Sequence, residues 1–276
     1  MRAGVFQSRT GIDPAANARD LVGAIDMAAG QGAHMLFTPE MSGLLDRDRV
    51  RAARSLKLES EDPVLATVRD AAARTGLWVH LGSLALLSDE GDGKLVNRGF
   101  LIDGDGAIRA RYDKMHLFDV DLPNGESWRE SAAYTAGTTA VVAETPWGRV
   151  GLAICYDLRF PGLFSALSEA GAVILSVPAA FTVPTGAAHW HVLLRARAIE
   201  AEAFVIAAAQ GGEHADGRAT YGHSLAIDPW GEVLLDIGNA HGVRLIDLDL
   251  GRVDQVRERL PVLQHRRRIG PATVAG

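Results

Sequence analysis

The sequence has one cysteine, Cys155, among its 276 residues. An intramolecular disulfide framework is therefore excluded, and a reducing compartment, the cytoplasm, is the expected location. The sequence also lacks an apolar run long enough to span a bilayer. Its first residues are typical of a strand and lack the long apolar stretch of a secretory signal. We therefore expect no membrane association.

An excess of positive charge is also missing. The 28 Lys and Arg residues are outnumbered by 34 Asp and Glu residues, which gives a formal net charge of −6. A nucleic-acid partner is therefore not expected, because such proteins carry a basic surface. The one basic run, residues 266–268, is typical of a solvated or subunit-contacting tail.

Metal and dinucleotide motifs are absent as well. The nine histidines include no H-E-x-x-H motif. His189 and His191 flank Trp190 but have no carboxylate partner nearby in the sequence, a pattern typical of a packed helix start. Gly211 and Gly212 follow a predicted strand without the further glycine of a dinucleotide-binding loop. We therefore expect neither a metal nor a cofactor.

The first half of the chain alternates predicted strands and helices. The pairs Asp13-Pro14 and Asp62-Pro63 each predict a helix start, with aspartate as the cap and proline in the first turn. The second half adds hairpins, which are predicted at residues 97–112 and at two Pro-Trp-Gly turns, 146–148 and 229–231.

Further helices are predicted at residues 161–170 and 187–202, with strands at 172–177 and 204–209. Nearly continuous apolar strands indicate sheets that are covered on both faces. The mixture of hairpins and strand-helix units predicts mixed sheets in an α/β layered fold. We expect one domain, residues 1–276, with a tail from about residue 260 that packs on a partner subunit.

Cys155 directly follows a predicted buried strand, residues 148–154. Charged residues and Pro161 end the apolar run. A thiol at such a strand-to-helix corner lies near backbone N–H groups and the positive end of a helix dipole, which favour the thiolate. Cysteine is also among the most buried residue types, so an inert buried thiol is the alternative interpretation.

Three charged residues accompany this cysteine. Glu40 ends a predicted strand, where open α/β sheets present ligand-binding groups. Lys114 follows the hairpin of residues 97–112, and Glu130 lies in a predicted polar loop. Each one by itself is also typical of a surface residue.

Together these residues resemble the nitrilase superfamily of carbon–nitrogen hydrolases, whose members use a Glu-Lys-Cys triad. The similarity is carried by residues 37–40, 112–119 and 151–161, in the family order, and it extends over essentially the whole chain. The resemblance implies a four-layer α-β-β-α sandwich with mixed sheets, a small-molecule amide substrate and a homodimer.

The resemblance also implies a role for each site residue. Glu40 is the expected general base, and Cys155 is the expected nucleophile that forms an acyl thioester. Lys114 and the backbone N–H of Tyr156 are expected to stabilise the oxyanion. Glu130 is expected to position the substrate and Lys114.

Within the superfamily the chain resembles the Nit branch, which contains deaminated glutathione amidases and omega-amidases. Residues 207–214 and 218–224 favour the first group. The predicted reaction is therefore hydrolysis of deaminated glutathione to 2-oxoglutarate and Cys-Gly. The alternative is omega-amidase activity on 2-oxoglutaramate.

Both substrates share an acidic keto-acyl half and therefore need a cation. Arg159 or an arginine of the helix at 187–202 is expected to supply it, although a structural ion pair explains Arg159 equally well. The family segment Thr-Gly-Pro-Ala-His-Trp-Glu has Ala187 in place of its proline and His191 in place of its glutamate. This change bears on substrate preference more than on the chemistry.

Two other classes of protein are considered. A papain-like cysteine peptidase is disfavoured because the sequence around Cys155 lacks the Cys-Gly-Ser-Cys-Trp type of signature. A noncatalytic scaffold on the same fold is the other alternative, and it would be expected to lack at least one residue of the triad. Glu40, Lys114 and Cys155 are all present.

Overall fold

The computed structural model describes residues 1–90, 93–121, 125 and 127–274. Two of its helices start at the predicted aspartate-proline pairs, where Asp13 caps the N–H of Ala15 and Asp62 caps that of Leu65. The helices are α1 Pro14–Gly30, α2 Arg49–Ala52, α3 Pro63–Thr75, α4 Pro161–Glu169, α5 Val183–Ala201, α6 Gly251–Arg259 and α7 Val262–His265.

Twelve strands form two six-stranded mixed sheets. The first sheet has the order β16-β1-β2-β3-β4-β5, with β1 Arg2–Gln7, β2 Met35–Phe37, β3 Trp78–Leu87, β4 Leu95–Ile102, β5 Ile108–Asp113 and β16 Gly242–Asp247. The second has the order β15-β14-β11-β10-β9-β8, with β8 Val141–Thr145, β9 Gly148–Leu152, β10 Ile174–Ser176, β11 Phe204–Ala207, β14 Leu225–Ile227 and β15 Val233–Asp236.

Each sheet is built around three parallel strands. These are β1, β2 and β3 in the first sheet and β9, β10 and β11 in the second, and antiparallel strands flank them on both sides. Two small antiparallel pairs lie outside the sheets: β6 Asp119–Asp121 with β7 Ser127–Arg129, and β12 Gly211–Glu213 with β13 Ala219–Tyr221. The three predicted hairpins are confirmed.

The apolar side chains divide into two cores. One contains Val5 and Phe37 of the first sheet, Ile174 of the second sheet and Trp190 of α5, so the second sheet is covered by the first on one face and by helices on the other. The second core lies between α1, α3 and the outer face of the first sheet, where Ile25 and similar residues are buried. The predicted four-layer α-β-β-α sandwich is confirmed.

Helix α5 differs from its predicted bounds, and the predicted tail makes contacts within its own chain. Helix α5 begins at Val183 instead of residue 187, because Pro184 fits the first helical turn, where a backbone N–H needs no partner. His191 therefore lies in the helix interior and not at a helix start. The tail packs on its own subunit as far as Arg266, which donates hydrogen bonds to the carbonyls of Ser165 and Glu200.

Gly82 marks a very close approach between backbones beside the end of β2. A Cβ atom on Gly82 would lie 2.2 Å from the carbonyl oxygen of Thr38 and 2.4 Å from that of Pro39. Only glycine lets β3 pass this close to the segment that carries Glu40. The packing of the first sheet therefore sets the position of that carboxylate.

No helix among the described residues combines the length and apolar character needed to cross a bilayer.

Candidate active site

The four predicted catalytic side chains come from separate segments and meet in the structure. Glu40 follows β2 and Cys155 follows β9, so each lies just beyond the carboxyl end of a parallel strand of its own sheet. Lys114 follows β5, and Glu130 begins a 3-10 turn at Glu130–Ala132. The fold therefore brings together residues that are up to 115 positions apart in the sequence.

Lys114 lies between the two carboxylates. Its Nζ donates to Glu40 Oε1 at 2.9 Å, and to Glu130 Oε2 at 2.9 Å and Oε1 at 3.1 Å. The side chains of Lys114 and Glu40 are only 3% and 4% exposed. A buried ammonium with two carboxylate partners is held in one place.

Cys155 occupies a strained backbone position. Its φ of 49° lies in the left-handed region, which is uncommon for a residue with a Cβ. The residue opens the 3-10 helix Cys155–Arg159, and its N–H donates to the carbonyl of Pro178 at 2.8 Å. The thiol lies close enough to the carboxylate of Glu40 for each group to shift the pKa of the other. A strained backbone conformation persists only when the surrounding structure holds it in place, and such residues are common at functional sites.

The pKa values of the three groups depend on one another. Burial raises the pKa of Glu40, but the charge and hydrogen bond of Lys114 outweigh it and lower that pKa below its ordinary value. Burial lowers the pKa of Lys114, but the charges of Glu130 and Glu40 raise it well above its usual range. Glu40 is therefore an anion and Lys114 a cation.

The thiolate expected for Cys155 is wrong for this state of the site. Burial raises the pKa of the thiol well above its ordinary value, and the nearby charge of Glu40 raises it further, while Lys114 lowers it less. A helix dipole favours the thiolate, but the Glu40 carboxylate beside the sulfur, which is distant in the sequence, opposes it. The structure therefore pairs a neutral thiol with an anionic acceptor for its proton.

Asn97 is a site residue that the sequence analysis missed. Its Nδ2 donates to Glu40 Oε1 at 2.9 Å and to Glu130 Oε1 at 3.3 Å, so it bridges the two carboxylates from β4. Its Oδ1 is buried without a hydrogen-bond partner among the described residues. No local pattern separates Asn97 from other hairpin residues.

Asp157 is a second residue that was missed. Its carboxylate is fully buried and accepts from the hydroxyl of Tyr112 at 2.7 Å and from the N–H groups of Ile154 and His116 at 2.8 and 3.0 Å. These bonds hold the turn that carries Cys155 against β5 and the segment after it. The one feature of the sequence that could have identified Asp157 is its position two residues after Cys155.

Tyr156 and Arg159 lie on the same turn as Cys155. The Tyr156 N–H belongs to the first turn of the 3-10 helix, where N–H groups have no intrahelical partner. The Arg159 guanidinium lies 5.8 Å from the Tyr156 ring centre, 5.5 Å from that of Phe181 and 3.3 Å from His189 Nδ1. Among the residues described, no carboxylate forms an ion pair with Arg159. The interpretation of Arg159 as half of a structural ion pair therefore has no support.

His191 has a carboxylate partner that lies 45 positions away in the sequence. His191 and His223 both contact Asp236, at 3.0 and 2.9 Å. These three residues form a group that could hold a metal ion. It is separate from the cluster of Glu40, Lys114, Glu130 and Cys155.

Comparison with known proteins identifies the family. The model of the family described as carbon-nitrogen hydrolase matches residues 2–258. The chain belongs to this family. The family resemblance seen in the sequence is thereby confirmed, and so is the expectation of an enzyme that hydrolyses carbon–nitrogen bonds.

Three similar proteins illustrate the match. Deaminated glutathione amidase of Yersinia enterocolitica is 41% identical over 255 residues, covering 91% of this chain and 89% of that protein. The crystal structure of Caenorhabditis elegans NitFhit has a TM-score of 0.89 at 37% identity and covers 96% of this chain, which spans 65% of that one. A glutamate-to-glutamine mutant of the amidase from Nesterenkonia sp. AN1 has a TM-score of 0.77 at 26% identity and covers 95% of this chain and 98% of its own. That structure shows acrylamide added to its active site cysteine.

The coupling between Glu40 and Cys155 gives a direct test. Glu40→Gln removes the negative charge beside the sulfur and leaves Lys114 in place, so we expect the pKa of Cys155 to fall and the thiolate to appear at lower pH than in the wild type. The measurement is a pH titration of ultraviolet thiolate absorbance, with Cys155→Ala as the blank. Glu144→Gln, on the exposed side chain of β8, is the matched control. An unchanged or upward-shifted titration in Glu40→Gln contradicts the coupling.

Proposed function

We propose that this carbon–nitrogen hydrolase is a thiol amidase that converts deaminated glutathione to 2-oxoglutarate and Cys-Gly. The observation that carries the proposal is the buried contact among Glu40, Lys114 and the Cys155 thiol. The substrate is supported by the relatives that bear the name deaminated glutathione amidase, among them the Yersinia enterocolitica protein. The steps below follow from the geometry and from amide chemistry.

Acylation begins with the neutral thiol beside the anionic carboxylate of Glu40. As the sulfur attacks the amide carbon, its proton passes to the Glu40 carboxylate and a C–S bond forms. The C–N bond then breaks, and the same proton passes from Glu40 to the nitrogen of the leaving Cys-Gly. An acyl thioester on Cys155 remains.

The tetrahedral oxygen needs a fixed positive environment while its charge develops. The Lys114 ammonium is held by Glu40 and Glu130, and the Tyr156 N–H lies next to the sulfur in the chain. Preorganised donors of this kind stabilise an acyl-transfer transition state by about 3–4 kcal/mol. The pairing of Lys114 thus serves the chemistry as well as the stability of the fold.

Deacylation repeats the sequence with water. Glu40 takes a proton from water as the water oxygen attacks the thioester carbon, and the C–S bond breaks. The proton returns to the sulfur, which restores the neutral thiol and releases 2-oxoglutarate. One carboxylate thus serves both half-reactions, and no metal or cofactor takes part.

Glu130 and Asn97 act as positioning residues. Glu130 accepts two hydrogen bonds from Lys114 and one from the N–H of Phe118 at 2.6 Å. Asn97 joins this carboxylate to Glu40. They limit the ways in which Lys114 can turn away from the oxyanion.

Arg159 is the proposed partner of the acidic half of the substrate. The two arginines of α5 are engaged elsewhere: the exposed Arg195 donates to the carbonyl of Gly231, and the buried Arg197 donates to the carbonyl of Leu158 and to the carboxylate of Glu200. Arg159 lies on the turn of Cys155 and is only partly buried between two aromatic rings. A guanidinium in this position suits a carboxylate.

We further propose a cytoplasmic homodimer that pairs through an apolar groove next to α5. This groove, of about 200 Å³, is lined by Ile199, Glu202, Pro229, Trp230, Val256 and Leu260. The exposed fractions of Ile199, Trp230 and Leu260 are 44%, 54% and 48%. Exposed apolar clusters of this kind mark interaction surfaces. The groove includes Ile199 of α5, the helix that also carries His189 beside Arg159.

The first prediction concerns the nucleophile. Cys155→Ala is expected to lower kcat at least about a thousandfold, because no other group can form the acyl intermediate. Amidase assays on purified protein measure this loss, and circular dichroism checks that the fold is kept. Ser60→Ala, at an exposed position, is expected to retain full activity. Activity of Cys155→Ala within about tenfold of the wild type is incompatible with the mechanism.

The second concerns the substrate. We expect a higher kcat/KM for deaminated glutathione than for 2-oxoglutaramate, with roughly 1–3 kcal/mol of discrimination from contacts to the leaving group. As a control, Arg159→Gln is expected to lower both values alike, because both substrates share the acidic half. An approximately tenfold preference for 2-oxoglutaramate would instead assign omega-amidase activity and leave the mechanism unchanged.

The third concerns assembly. Light scattering after size exclusion is expected to give the mass of two chains for the wild type and of one chain for Trp230→Asp, because burying an unpaired carboxylate in an apolar interface is strongly unfavourable. Val50→Asp makes the same change at a residue that is 75% exposed on α2 and is expected to stay dimeric. A monomeric wild type, or a dimeric Trp230→Asp, rules out this interface.

A further inference from the structure

Two histidines and an aspartate converge at a place that the amidase mechanism does not use. His191 lies in α5, His223 precedes β14 and Asp236 ends β15. His191 Nε2 lies 3.0 Å from Asp236 Oδ2, and His223 Nδ1 lies 2.9 Å from Oδ1 and 3.1 Å from Oδ2. Side chains from three segments that are distant in the sequence thus bring two imidazole nitrogens close to one carboxylate.

The spacing of these atoms fits a tetrahedral metal ion. One ligand atom from each residue lies within 4.8 Å of the other two. In a zinc site with bonds of about 2.0–2.1 Å, neighbouring ligand atoms are about 3.3 Å apart. The two nitrogen–oxygen pairs, at 3.0 and 2.9 Å, are already close to that separation, and the ligand atoms of the two imidazoles lie within 4.8 Å of each other.

The side chains are held by their surroundings. The His223 ring stacks on Tyr221 with centres 4.5 Å apart, and the His191 ring lies edge-on to both. His223 has a φ of 52°, and its carbonyl accepts from Trp190 Nε1 at 2.8 Å. The N–H of Gly238 donates to Asp236 Oδ1 at 2.8 Å. Outer contacts of this kind orient metal ligands.

The donor set selects a class of ion. Two imidazoles with one carboxylate suit zinc and similar transition metals better than magnesium or calcium. The three side chains are 25–35% exposed, so an ion can enter and water can complete its coordination.

We propose that His191, His223 and Asp236 bind a zinc-class divalent cation and that this site ties α5 to β15 and to the segment before β14. On binding, each imidazole keeps its proton on the nitrogen that faces away from the ion and offers the lone pair of the other. The role is structural. Tyr221, which stacks on His223, donates its N–H to the carbonyl of Phe181, and the Phe181 ring contacts Arg159. The metal site would therefore stabilise the segment that packs against Arg159.

Calorimetric titration of the metal-stripped full chain with ZnCl₂ tests the site. All proteins carry Cys155→Ala, which removes the thiol as a competing ligand. We expect one equivalent per chain, and an affinity at least about tenfold lower in His191→Ala and in Asp236→Asn. The Asn variant keeps the shape of the side chain, and circular dichroism confirms folding. His265→Ala removes an exposed imidazole elsewhere and is expected to bind as the parent does.

Two further readouts separate a metal site from a plain hydrogen-bonded cluster. Zinc is expected to raise the Tm of the parent but not of His191→Ala, and cobalt in its place is expected to give the visible absorption of a tetrahedral complex. The proposal is overturned if the parent binds no zinc. It is equally overturned if His191→Ala and Asp236→Asn bind zinc as tightly as the parent. Neither result bears on the amidase proposal, which rests on other residues.

Discussion

The buried ammonium of Lys114 is the interaction on which the site depends. A charge in the protein interior is tolerated only when it is paired and hydrogen-bonded. Glu40 and Glu130 provide that pairing from two other segments, and Asn97 ties the carboxylates to each other. The segments after β2 and β5 and the turn at Glu130 must therefore come together whenever the protein folds.

The second constraint is the turn at Cys155. Its left-handed backbone is unfavourable for a residue with a side chain, and the surrounding bonds must hold it. Asp157 does so by accepting from Tyr112, His116 and Ile154, and Pro178 accepts from the Cys155 N–H. The first sheet thus reaches across to the second through a fully buried carboxylate. The sulfur is placed by both sheets and not by its own strand alone.

The sequence predicted helix starts well where they depend only on neighbouring residues. The pairs Asp13-Pro14 and Asp62-Pro63 predicted helix starts correctly, because capping and proline geometry involve only neighbouring residues. Helix α5 starts at Val183, four residues before the predicted start, and the Thr182 side chain at its N-cap makes no capping bond. The family motifs around Glu40, Lys114 and Cys155 identified the residues that the structure brings together.

The sequence by itself determined the layered α/β fold and the identity of the four clustered side chains, because periodicity, capping and motif order are written in consecutive residues. The tertiary structure alone decided how those side chains affect one another. The neutral state of the Cys155 thiol follows from burial and from the charge of Glu40, which lies 115 positions away in the chain. The bridge made by Asn97, and the meeting of His191 with Asp236, likewise depend on packing. Electrostatic interactions and hydrogen bonds depend on distances in space, and the separation of two residues in the sequence does not give that distance.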